Sequence, residues 1–181
     1  MEIKLSYYPF LHRAPFQRGC LVVFGRKGNE TQKFALACGD GLVACYRFDK
    51  RRLSVRYQYD TKLEFCGKIA TEGNSLFVAE KDRVVAIDSK GKVDSLIDTP
   101  AVGPFTNILK LQDKIYLTTS NSVLQARTHN PPIRLPAAPT GLACVGKGIY
   151  LGLSNGVIHK LKENVTMQLI NLETPITMFG S

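Results

Sequence analysis

Four stretches of this chain align with one another without a gap, and that self-similarity constrains the fold more than any other feature. They are KFALACGDGLVACY from residue 33, SLFVAEKDRVVAID from 75, KIYLTTSNSVLQAR from 114 and GIYLGLSNGVIHKL from 148. A period of about 40 residues belongs to solenoids and propellers, in which each unit buries its apolar face only against its neighbours. Each copy carries an apolar, β-branched run, a short polar pivot and a second apolar run. The pivots Asp40-Gly41, Asp82-Arg83, Asn121-Ser122 and Asn155-Gly156 predict β-hairpins with type I′ centres, because Asp, Asn and Gly tolerate the positive φ such turns require. Gly39-Asp40-Gly41 therefore reads as a turn. A phosphate-cradling glycine loop would have to open a helix, whereas LVACYRF continues as a strand.

Each hairpin is flanked by further strand-like runs. FCGKIATEG (65–73), NILKLQ (107–112) and PTGLACVG (139–146) precede three of them; LSVRYQYDT (53–61), KVDSLIDT (92–99), PIRLPA (132–137) and VTMQLINLET (165–174) follow the four. In LSVRYQY the apolar Leu53, Val55, Tyr57 and Tyr59 alternate with polar residues, as a half-buried strand requires. No stretch has a capped helical period. The expectation is an all-β chain, a β-propeller of four-stranded blades at approximately 20–61, 65–99, 107–137 and 139–174, with 175–181 beginning a further strand. Thr61, Thr99 and Thr174 close three of these blades. Closed propellers have about four to eight blades. The chain either closes through Ile176 to Phe179 or, the favoured expectation, is part of a longer propeller with exposed edges and inter-blade faces.

At 181 residues the chain can bury a sizeable core. No apolar run approaches the ~20 residues of a membrane helix. MEIKLSYYPF lacks an apolar signal region, which points to a reducing compartment. The five cysteines (Cys20, Cys38, Cys45, Cys66, Cys144) form no CxxC pair and read as buried free thiols, although Cys38 and Cys45 fall on two strands of one hairpin and could approach across its ladder. His12, His129 and His159 share no metal spacing. No P-loop, dinucleotide fingerprint or nucleophile elbow is present, so no catalytic, cofactor-binding or metal-binding residue is expected.

Charge is the remaining lead. The chain carries a net +9, with basic residues clustered at Arg13, Arg18, Arg26, Lys27 and Lys33 and at Lys50, Arg51 and Arg52. The second group occupies the turn between the last two strands of blade one. Turns project from a propeller face, so these residues either hold an acidic partner or an anionic membrane surface, or are simply solvated. Nucleic acid is not an expected partner, because the interleaved Phe48, Tyr57 and Tyr59 have the period-two spacing that blade packing demands anyway.

The stretches TQKFALACGDGLVACYRFDK (31–50), LFVAEKDRVVAIDSKGKVDSLIDT (76–99), NILKLQDKIYLTTS (107–120) and PAAPTGLACVGKGIYLGLSNGVIHKL (136–161) resemble, in order, the amino-terminal β-propeller of the Bardet-Biedl syndrome protein seven family, subunits of the BBSome. The resemblance implies a seven-bladed propeller followed by coiled-coil and appendage domains. It also implies a non-enzymatic scaffold in a ciliary coat-like complex that carries membrane-protein cargo with the intraflagellar transport machinery. The implied partners are other BBSome subunits, and the implied locations are the cytoplasm, cilium, ciliary membrane and basal body. Two departures stand out: there is no coiled coil here, and the stretch between NILKLQ and PAAPTG is about one blade shorter than in the family or holds a divergent blade. The alternative role is another propeller adaptor, of intraflagellar transport or a vesicle coat, reading acidic peptides or phosphoinositides through its basic turns.

Overall fold

The computed structural model describes residues 16–24, 31–38, 41–49, 52–61, 68–101, 103–162 and 165–176. They form four antiparallel sheets of four strands each, laid down in chain order. Blade 1 holds β1 (Phe16–Phe24), β2 (Thr31–Cys38), β3 (Leu42–Asp49) and β4 (Arg52–Asp60); blade 2 holds β5 (Ile69–Glu72), β6 (Ser75–Ala79), β7 (Arg83–Ile87) and β8 (Val93–Asp98). Blade 3 holds β9 (Asn107–Leu111), β10 (Lys114–Thr118), β11 (Ser122–Gln125) and β12 (Ile133–Arg134); blade 4 holds β13 (Pro139–Val145), β14 (Gly148–Leu153), β15 (Val157–Lys162) and β16 (Val165–Asn171). The stretch from NILKLQ to PAAPTG thus supplies a complete blade whose outermost strand is cut to two residues.

Each blade is apolar on both faces, and the faces are consumed between neighbours. Ala35, Ala37, Val43 and Cys45 of blade 1 pack on Leu76, Val78, Val85 and Ile87 of blade 2. Phe77, Ala79, Val84 and Ala86 on the other face of blade 2 meet Ile115, Leu117, Leu124 and Ala126 of blade 3. Tyr116 and Val123 of blade 3 meet Ile149, Leu151, Leu153 and Val157 of blade 4. Burial of this apolar area, at about 25 cal/mol per Å², sets the blades side by side, with β1, β5, β9 and β13 as adjacent inner strands.

In blades 2, 3 and 4 the hairpin centres differ from the type I′ expectation; in blade 1 Gly39 and Asp40 lie outside the described residues. The Gly156 N–H donates to the Leu153 carbonyl at 3.1 Å, so Ser154-Asn155 forms the turn and Gly156, at φ +86, follows it as the left-handed residue of a three-residue connection. In blades 2 and 3 the Glu80 N–H donates to the Arg83 carbonyl and the Thr119 N–H to the Ser122 carbonyl. Those turns centre one residue earlier than the sequence pattern indicates, on Lys81-Asp82 and Ser120-Asn121. Asp82 and Asn121 are not among the described non-glycine residues with positive φ, which are Gln112, Arg127 and Glu173. Of the described pivot residues, only the glycines Gly41 and Gly156 take the left-handed conformation, which costs them little because they have no Cβ to clash.

Two threonines tie the end of a blade to its hairpin. The Thr61 hydroxyl donates to the Gly41 carbonyl and the Thr99 hydroxyl to the Asp82 carbonyl, each at 2.8 Å. Thr174 instead donates to the Leu172 carbonyl, at 3.4 Å.

Register also corrects two readings of blade 1. Cys45 stands opposite Ala35, not opposite Cys38, so the two cysteines do not face each other across the ladder. A bulge between Cys45 and Tyr46 pairs Tyr46 with Val55 and Cys45 with Tyr57. Val55 is thereby turned to the face away from Tyr57, and it is exposed. Cys144 is only half-buried, with its thiol directed at the Gly146 carbonyl.

Candidate interaction surface

The blades present two unlike rims. At one end lie the first and third connections of every blade, and at the other lie the second connection and the crossing to the next blade. The first rim carries exposed Lys90, Lys92, Lys114, Lys147 and Lys162, with half-buried Lys33 beside them. Of its acids, Glu72 is held by Lys110 at 2.9 Å. Asp88 accepts the backbone N–H groups of Lys90 and Lys92 at 2.8 and 2.9 Å; those backbone bonds, Lys92 first, hold its carboxyl below the ordinary range. The opposite rim carries Asp60, Glu80, Asp82, Asp98 and Glu173 against Lys68, Lys81 and Arg83. The first rim also carries exposed Asp94 and Asp113 and the opposite rim exposed Arg134. Neither rim is therefore of one sign, although lysines are concentrated on the first and acids slightly outnumber cations on the second.

Of the residues singled out in the sequence, Arg13, Arg26, Lys27, Lys50 and Arg51 lie outside the described residues, and Arg18 lies on β1. Arg52 opens β4 and pairs with Asp49. The strand ends that flank the 25–30 and 50–51 connections sit together on the lysine-rich rim: Phe24 pairs with Lys33 and Thr31 with Asp49. The Lys33 ammonium reaches the Asn74 side chain of blade 2 at 3.2 Å. The lysines at 90, 92, 114, 147 and 162 were not singled out in the sequence. The signal that could have found them is the repeat itself, since each falls in or beside a turn equivalent to the 25–30 or 50–51 connection.

Between blades 1 and 2 an ionic latch joins the opposite rim. The Tyr59 hydroxyl donates to Glu80 Oε1 at 2.8 Å, and Arg83 Nε donates to Glu80 Oε2 at 2.9 Å. Glu80 is buried. Burial, with the Glu80 hydrogen bond, pushes the Tyr59 phenol up to about 12. Tyr57, packed on the same inter-blade core, is pushed higher still, first by burial and then by its neighbour Cys45. Burial likewise raises the Cys45 thiol, which makes it a packing residue with little thiolate.

The four inner strands frame a central cavity of about 340 Å³ lined by Val22, Lys68, Thr71, Asn107, Lys110 and Leu142. Lys110 is nearly buried there, its side chain 8% exposed and its ammonium 5.3 Å from the centre of the Phe77 ring. Asn107 donates to the Thr118 hydroxyl at 3.0 Å. Among the described residues, no three His, Cys, Asp or Glu side chains are grouped so as to hold a metal ion. No described helix is long and apolar enough to cross a membrane.

No protein-family model and no curated protein matches the chain in sequence. Solved structures match in fold. The chain is similar to the amino-terminal domain of BBS1 solved in complex with ARL6, with a TM-score of 0.70 and 15% identity over 95% of this chain and 60% of that one. It is similar to the β-propeller domain of Cps50 (Swd1) of Myceliophteria thermophila, with a TM-score of 0.63 and 13% identity over 88% and 59% of the two chains. A third likeness is to virginiamycin B lyase of Staphylococcus aureus, with a TM-score of 0.59 and 12% identity over 83% and 56%. The chain thus spans about 60% or less of these proteins' lengths. Identities this low carry the fold alone, and the fold serves both a complex subunit and a lyase. The four stacked sheets and these likenesses together place the chain among all-β proteins of β-propeller architecture.

Proposed function

We propose that this chain is a non-enzymatic interaction scaffold, a propeller portion of a BBSome-like subunit of the Bardet-Biedl syndrome protein seven kind, engaged in trafficking membrane proteins to cilia. The observation that carries the reading is the allocation of side chains. The apolar faces are spent on three inter-blade cores, and what projects from one rim is a set of exposed lysines. Such a surface works through area, shape and charge and needs no cofactor. The sequence resemblance and the fold likeness to a BBS1 domain solved with ARL6 support the BBSome class. In this reading the seven-bladed ring is completed outside the four blades, the partners are other BBSome subunits with their transport machinery and cargo, and the protein works in the cytoplasm, cilium, ciliary membrane and basal body.

The test is affinity purification of the tagged protein from ciliated cells, with mass spectrometry of what accompanies it. Recovery of BBSome subunits is the expected result; a clean bait without them sinks the reading. The lysine-rich rim gives a specific observation for a second role, in which Lys50, Arg51 and Arg52, with Arg26 and Lys27, hold an acidic peptide or an anionic lipid surface. Charge reversal of Lys50, Arg51 and Arg52 to Glu should then abolish pelleting with phosphatidylserine vesicles or capture by a polyglutamate peptide while leaving the melting temperature unchanged. Unchanged binding returns those residues to solvated turns.

A further inference from the structure

A groove opens between the outer edges of blades 2 and 3. β8 is the last strand of its sheet, and the equivalent strand of the next blade, β12, is cut to Ile133 and Arg134. Pro131 and Pro132 precede that stub and have no N–H with which to extend a ladder. At the end of β8 the Thr99 N–H turns inward to the Asp82 carbonyl at 3.3 Å, whereas the Asp98 carbonyl turns outward and accepts the Arg127 N–H at 3.1 Å. The direction of the backbone groups alternates along an antiparallel strand. The N–H and C=O of Leu96 therefore also point outward, where no described strand pairs with them.

Side chains alternate on the same strand. Ile97, opposite Val84, is buried in the core between blades 2 and 3, while Val93 and Leu96, opposite Ile87 and Val85, lie on the blade 1 side. Val93 and Leu96 are exposed, and among the described residues they are the large exposed hydrophobics of the two middle blades. On the blade 3 side the groove encloses about 490 Å³, lined by Ile97, Thr99, Pro100, Arg127, Thr128 and His129. Arg127 holds φ +61, a conformation that costs a residue with a Cβ about 1 kcal/mol and that concentrates at binding sites. Its side chain is exposed, and among the described residues no carboxylate is paired with it. Asp98 stands in register with Arg83, on the same face as Leu96, and the Thr128 hydroxyl is taken by the Gln125 carbonyl at 2.8 Å. Arg127 is thus the fixed charge of the groove.

We propose that the outer edge of β8 takes an extended segment of another protein as a fifth strand of blade 2, with apolar side chains beside Val93 and Leu96 and an intervening carboxylate at Arg127. Each observation specifies one part of this occupant. The outward Leu96 N–H and C=O call for the backbone of a strand. The exposed aliphatic side chains call for apolar residues across the ladder. The unpaired guanidinium, on the other face of the sheet, calls for an acid at the position between them. The segment therefore alternates apolar and acidic residues. Both walls of the groove lie in the middle blades, so completion of the ring beyond blades 1 and 4 leaves the site in place. The inference holds for a propeller in any complex and does not rest on the partner class proposed above.

The probe is a short fluorescein-labelled peptide of alternating valine and glutamate, titrated by polarisation against the 181-residue chain, with an alternating valine and lysine peptide as its counterpart. Saturable binding of the glutamate peptide is expected, together with slowed exchange of the Leu96 amide proton. Arg127→Gly suits the left-handed backbone better than arginine does, so it should keep or raise the melting temperature while weakening the peptide about tenfold. Arg127→Glu should turn the preference to the lysine peptide. Leu96→Pro removes an outward N–H that no ladder bond uses and should weaken binding as well; Leu96→Asp serves if that variant misfolds. Absence of binding overturns the inference, as does equal affinity for the two peptides. Binding of the glutamate peptide that neither Arg127→Gly nor the Leu96 variants disturb also overturns it and assigns the peptide to the lysine-rich rim. A chain that pairs with its own copy through β8, as a dimer lost in Leu96→Pro, overturns it in favour of edge pairing between copies.

Discussion

Tyr57 of blade 1 occupies the space that a side chain at Gly91 of blade 2 would need: a Cβ placed on Gly91 would stand 2.5 Å from the Tyr57 Cβ and Cγ. Gly91 also sits at φ +87 in the turn between β7 and β8, where its N–H closes on the Asp88 carbonyl at 3.1 Å. Two requirements, the left-handed backbone and the close approach of an aromatic ring, fall on one residue. Gly91→Ala should therefore destabilise the fold by about 2 kcal/mol or more, read from the urea midpoint. Gly73→Ala is the control, since Gly73 has φ +59 but nothing within 4 Å of its Cβ position; it should cost only about 1 kcal/mol. Equal losses would remove Tyr57 from the explanation.

The Tyr59–Glu80–Arg83 latch predicts a specific alkaline limb. In the fold the Tyr59 phenol keeps its proton up to about 12, against an ordinary value of 10.0. The unfolded chain thus releases this proton first, and stability from this group, complete below pH 10, is lost as pH rises toward 12. Tyr59→Phe should make that decline shallower while costing about 1 kcal/mol near neutrality through the lost hydrogen bond. Denaturation midpoints at pH 8 to 12 for both proteins check it; parallel curves would show that the latch does not set the slope.

His159 sets the acid side. It lies buried on the blade 3 side of β15, between Leu151 of β14 and Gln168 of β16 in register, and its Nδ1 has no hydrogen-bond partner. Burial lowers its pKa below the ordinary 6.5. The unfolded state therefore takes up the proton first, and the stability that is full above pH 6.5 falls as pH drops toward the folded value. His159→Leu should flatten this stretch of the stability curve, measured by thermal melts between pH 7 and 5. An unchanged slope would assign the acid loss to carboxylates instead.

Glu72 and Lys110 make an unequal pair, the acid 47% exposed and the lysine 8%. Removing the acid leaves a nearly buried ammonium whose Phe77 ring contact at 5.3 Å does not replace a carboxylate, so Glu72→Ala should cost about 1 kcal/mol or more. Lys110→Met removes the charge and keeps the apolar stem, and should be neutral or stabilising. Reversal of that order in urea titrations would show that Lys110 is held by something other than Glu72.

Much of this architecture is written in the order of residue types. Strand alternation, polar pivots and a repeat of about 40 residues depend on nearest neighbours along the chain, so they specify four-stranded units and their sequence of hairpins without reference to distant contacts. The same locality explains the misreadings. Asp82-Arg83 and Asn121-Ser122 look like turn centres, but which residue turns is decided by ladder register, set by the packing of both faces. Val55 and Tyr57 share an alternating pattern, yet a bulge opposite Cys45 and Tyr46 sends them to different faces. PIRLPA has a strand's composition, and only Ile133 and Arg134 find partners on β11. The surface follows the same division. Lys50, Arg51 and Arg52 stand out because they are consecutive, whereas Lys90, Lys92, Lys114, Lys147 and Lys162 come onto one rim with Lys33 only when the blades are stacked. Sequence determines which face of each strand is apolar; tertiary packing alone decides which apolar faces are satisfied, because a blade's face is complete only against another blade.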